Sequence, residues 1–232
     1  MLSPFYGVVK KRIEPIIKPL GFHSYRRYYY RIVNDVVQQF CPLWLYHDFT
    51  IRFLLRSLYQ DNERIAEGEE VMWLINGTHR WLAPTFTKVS PNLYVANEDF
   101  QTLTPKTYQI SADICEKALK EHLLPWFEEN TDSEKAYAAC KTAQLFLPRK
   151  NVSDSIESLG FLLGMGEWDK ALAVLHPYIE RTISCNPHWW SIMESEYTSL
   201  YHALAEKDIS YVRNYMEEKR QKNYKEFKWK AH

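Results

Sequence analysis

The stretch Tyr28-Tyr29-Tyr30-Arg31-Ile32-Val33-Asn34-Asp35-Val36-Val37-Gln38-Gln39-Phe40 decides the fold class. Two runs rich in aromatic and β-branched residues flank two turn-forming residues, the pattern of a β-hairpin. The first run reaches back to Phe22 and the second forward to Leu45. His47-Asp48 reads as another turn and Phe49 to Tyr59 as a third strand. Three consecutive strands predict an antiparallel meander with a helix over one face.

Pairing Val33 with Val36 sets two faces, because a strand alternates its side chains. Tyr28, Tyr30, Ile32, Val37, Cys41, Leu43 and Leu45 form the expected core side. Tyr25, Arg27, Tyr29, Arg31, Gln38, Phe40 and Trp44 form the other. That second face is aromatic yet polar, so it is expected to lie outside and to serve as a binding surface. Arginine beside tyrosine in residues 25–31 suits phosphates and stacked bases. The simpler and preferred reading is that the arginines lie flat over the tyrosines on the outside.

Helical signals bracket the strands. Val9, Ile13, Ile16, Ile17 and Leu20 recur at helical spacing after Ser3-Pro4; Pro15 should kink this helix, and Pro19 with Gly21 should end it. Residues 60–70 are acidic, Val71 to Ile75 is a candidate strand before Asn76-Gly77, and residues 78–100 read as short strands or loop. From Ser111 the helical period returns. Ile114, Ala118, Leu119, Leu123 and Phe127 share one side of a helix that Pro125 should bend or close. Further helices follow over Ser133 to Leu147, from a Ser153-Asp154 cap to Gly164, over Glu167 to Ile183, over Trp189 to Glu206, and from an Asp208 cap onward. The fold expected is α+β: residues 1–130 carry an antiparallel sheet with flanking helices, and residues 131–232 form a helical extension.

The first 130 residues resemble the bacterial family Domain of Unknown Function 4304. The resemblance rests on Ile16-Ile17-Lys18-Pro19-Leu20-Gly21-Phe22, Tyr29-Tyr30-Arg31, Val36-Val37-Gln38-Gln39-Phe40, Phe49-Thr50-Ile51-Arg52-Phe53 and Leu124-Pro125-Trp126-Phe127, in that order. The chain departs from the family after Phe40, where Cys41-Pro42-Leu43-Trp44 replaces a polar stretch. The family has no established activity, so the resemblance implies a fold and no function. Residues 158–180, SLGFLLGMGEWDKALAVLHPYIE, also resemble one helix-turn-helix of a tetratricopeptide-like repeat. A looser second unit lies around Trp189 to Tyr215. An array needs several stacked copies, so an ordinary helical hairpin is the simpler reading.

Composition narrows the function classes. The 232 residues are 46% hydrophobic and 25% charged, with 16 Tyr, 11 Phe and 8 Trp but 7 Gly. Twenty-nine basic residues balance twenty-nine acidic ones, which removes the global footprint of a nucleic-acid binder. Cys41, Cys115, Cys140 and Cys185 stand far apart and suit a reduced core. The early cations follow an apolar stretch instead of preceding it, unlike a signal peptide. No segment reaches the roughly 20 apolar residues of a membrane span, so the cytoplasm is the expected compartment.

No P-loop, Rossmann glycine pattern, GxSxG or HExxH occurs. No cofactor or metal is expected, nor any catalytic residue. His47 and Asp48 point apart in a turn, and Gly160, Gly164 and Gly166 flank an inter-helix turn. His176, His188 and His202 share no local helical face. The basic aromatic stretch at residues 219–230 reads as a solvated final helix. The favoured expectation is a protein-interaction module in a bacterial cytoplasm, in one version an immunity or antitoxin-like partner. The alternatives are an enzyme with a pocket between sheet and helices, and single-strand nucleic-acid binding through the Tyr/Arg strand.

Overall fold

The computed structural model describes residues 4–25, 28–45, 48–59, 104–142, 156–185 and 193–226. It forms two compact units, one of Met1–Leu55 with Asn76–Thr131 and one of Arg56–Ile75 with Asp132–His232. The chain is α+β, with a four-stranded antiparallel sheet and helices. The expected strand at Val71 to Ile75, its Asn76-Gly77 turn, residues 78–100 and the Ser153-Asp154 cap lie outside the described residues.

In the first unit, helix α1 (Pro4–Ile17) buries Val9, Ile13 and Ile17, one residue per turn. Pro15 sits within α1 without ending it. After a 3₁₀ turn, Gly21 takes φ 82°. Its N–H donates to the Lys18 carbonyl and that of Phe22 to the Ile17 carbonyl, a left-handed glycine ending as expected. Strands β1 (His23–Tyr25), β2 (Tyr28–Val33), β3 (Val36–Leu45) and β4 (Asp48–Ser57) follow in spatial order. Val33 pairs with Val36 across Asn34, which takes φ 53°. The run from Phe22 to Val33 is two strands where one is expected: Tyr25 pairs with Tyr28 and His23 with Tyr30.

Helix α2 (Pro105–Ala118) packs on α1, and Arg12 reaches Asp113 at 2.8 Å and Glu116 at 2.6 Å. These solvated pairs add little stability. The helix continues through a π-turn at Leu119–Leu123 into α3 (Leu124–Glu129). There the Leu124 N–H donates to the Leu119 carbonyl five residues back. Pro125 has no N–H and would crowd a regular turn, and the wider turn accommodates it so that the helix does not stop.

The second unit is helical: α4 (Ser133–Thr142), a 3₁₀ turn, α5 (Leu159–Gly164), α6 (Trp168–Cys185), α7 (Met193–Ala205) and α8 (Ile209–Glu226). Consecutive helices pack on each other around Leu159, Leu162, Leu163, Leu175, Leu200, Leu204 and Val212.

The turns α5–α6 and α7–α8 are the same turn. In the first, the N–H groups of Met165, Gly166, Glu167 and Trp168 donate to the carbonyls of Phe161, Leu163, Leu162 and Gly166. In the second, those of Glu206, Lys207, Asp208 and Ile209 donate to His202, Leu204, Ala203 and Lys207. Every donor and every acceptor is shifted by 41 positions. The left-handed residue of each is Gly166 (φ 72°) or Lys207 (φ 58°), the C′ position of a Schellman ending. The buried positions repeat with the same shift: Leu159 and Leu200, Leu162 and Ala203, Leu163 and Leu204, Ala171 and Val212, Val174 and Tyr215. Helix α4 begins as α8 does. Asp132 accepts the Lys135 N–H on Oδ1 and the Ala136 N–H on its carbonyl, as Asp208 accepts from Tyr211 and Val212. The Lys135 N–H, aided by the Lys135 ammonium and the Glu134 N–H, holds the Asp132 carboxyl below the usual carboxylate range. The second unit is therefore built from a repeated αα-hairpin.

The equivalence of the two turns predicts opposite effects of glycine. A Cβ at Gly166 would meet only the Trp168 ring at 3.6 Å, an ordinary contact, so the cost of Gly166→Ala is that of left-handed backbone. Gly166→Ala should lower stability by about 1 kcal/mol and Lys207→Gly should raise it by a similar amount in urea denaturation. Shifts of the same sign would contradict the equivalence.

Candidate functional site

The sheet face expected to lie outside is inside. Tyr29, Arg31, Gln38 and Phe40 are all buried. Tyr29 stacks on Phe40 with ring centroids 5.1 Å apart. Phe40 meets Phe22 edge-on at 5.5 Å, and Phe127 of α3 approaches Phe22 at 5.9 Å. Burial, followed by the nearby Glu14 carboxylate, pushes the Tyr29 phenol well above its usual range.

The polar residues of this face end a helix. Arg31 donates from Nε to Gln38 Oε1 at 2.7 Å, from Nη1 to the Leu20 carbonyl at 3.0 Å and from Nη2 to Glu128 Oε1 at 2.5 Å. Its guanidinium lies 4.7 Å over the Phe22 ring. Gln38 Nε2 donates to the carbonyls of Phe127 (2.5 Å) and Asn130 (3.0 Å). Asn34 Nδ2 donates to the Thr131 carbonyl and Asn130 Nδ2 to that of Trp126. A helix leaves its last carbonyls without internal partners. Here the hairpin supplies the donors, and a cation stands where the helix dipole is negative.

Of the other three expected contact residues, Tyr25 pairs with Tyr28 in register. Trp44 lies in β3, and Arg27 lies outside the described residues. On the expected core side, Tyr28, Tyr30, Val37 and Cys41 are buried and Ile32 is half-buried. Among the described residues of β2 and β3, both faces are thus buried, where one covered face is expected.

In the second unit, helix packing assembles a surface group that local spacing does not suggest. His176 of α6 stacks on Tyr201 of α7 at 5.8 Å, with Nδ1 3.1 Å from the phenol oxygen. Its Nε2 lies 3.3 Å from Glu180, one turn on. His202 meets Tyr201 edge-on at 5.7 Å. The His176 ring thus stands between the Glu180 carboxylate and the Tyr201 phenol. His176 and Glu180 are more than half exposed. The group is open to water, which suits contact with a partner better than proton transfer. His188 lies outside the described residues.

Cys41, Cys115 and Cys140 are buried free thiols, and burial pushes Cys115 and Cys140 far above the range of reactive thiols. Among the described residues, no group of three or more His, Cys, Asp or Glu is placed to hold a metal ion, and no helix is long and apolar enough to cross a membrane. Comparison with protein-family models, with curated proteins and with solved structures gives no match to the chain.

The interior role of Gln38 sets a quantitative contrast. Gln38→Ala strips donors from two helix-end carbonyls and an acceptor from Arg31, and should cost about 3 kcal/mol in urea denaturation. Glu128→Gln, at a half-exposed carboxylate, should cost less than about 1 kcal/mol. Equal, small losses for both would return this face to the surface.

Proposed function

We propose that the chain is a protein-binding module whose working part is the repeated αα-hairpin of the second unit. The observation that carries this reading is the pair of identical turns at Gly166 and Lys207. Stacked helical hairpins generate a continuous outer surface from repeated positions, a property suited to contact with another protein. The His176–Tyr201–His202 group lies on that surface. Tyrosine supplies large amphipathic contact area and is enriched at interfaces.

Two considerations weigh against the other readings. Nucleic-acid binding through the Tyr/Arg strand would need Tyr29 and Arg31, which are engaged in the core of the first unit. For an enzyme, the groups moved furthest from their ordinary pKa would be the first candidates. Among the described residues those groups are Tyr29, Cys115 and Cys140, all pushed away from ionisation by burial.

The test is affinity capture of the tagged full-length chain from its native host, with cross-linking and mass spectrometry. A stoichiometric protein cross-linked to residues 193–226 is expected. The double variant Tyr201→Ala/His202→Ala should weaken that capture by about tenfold or more. Recovery of nucleic acid or a small metabolite without a protein partner would contradict the proposal, as would cross-links confined to the first unit.

A further inference from the structure

We draw no further inference here: the strongest candidate, the side-chain cluster of His176, Glu180, Tyr201 and His202 on the surface of α6 and α7, belongs to the contact surface already proposed, and its solvated histidine–carboxylate pair points to no further ligand.

Discussion

Arg31 and Gln38 face each other across the β2–β3 pair, and together they meet the end of α3. A helix directed at a sheet brings its orphan carbonyls into the interior, where each would be costly without a donor. Gln38 supplies two donors at once, and its own oxygen is taken by Arg31. Arg31 is then held by the Leu20 carbonyl, Glu128 and the Phe22 ring, so its charge is buried with partners on several sides. With these polar groups satisfied, the Tyr29, Phe40, Phe22 and Phe127 rings can close around them as a dry core. The sheet consequently has no free face to offer through these residues.

The second unit follows a different principle. Its order comes from one turn used twice, with the chain reversing through a left-handed residue and the next helix capped at once. Consecutive helices bury apolar residues against each other. On α8, Arg213 and Arg220 stand where α6 carries Leu172 and Ile179.

Much of this organisation is legible in the residues. Asn34-Asp35 between two β-prone runs places the hairpin and its register, Gly21 ends α1, and Asp208 caps α8. These are local signals, acting over a few residues. The faces of the sheet are not local. Arginine and glutamine in a strand read as solvated, and only partners 89 to 97 residues away, at Phe127, Asn130 and Glu128, reverse that. The β1–β2 reversal is hidden because Arg26-Arg27 carries none of the usual turn residues. The second hairpin reads as the looser of the two because Lys207 stands where Gly166 marks the first. Few paired positions are identical, and burial is what they share.

The proposed function accordingly rests on helical surface and not on the aromatic–arginine strand. The most direct measurement is the rate of arginine modification by phenylglyoxal in the native full-length chain, read by peptide mass spectrometry. Arg31 should resist modification until the protein is denatured, while Arg213 reacts in the native state. Modification of Arg31 at the rate of Arg213 under native conditions would contradict the account.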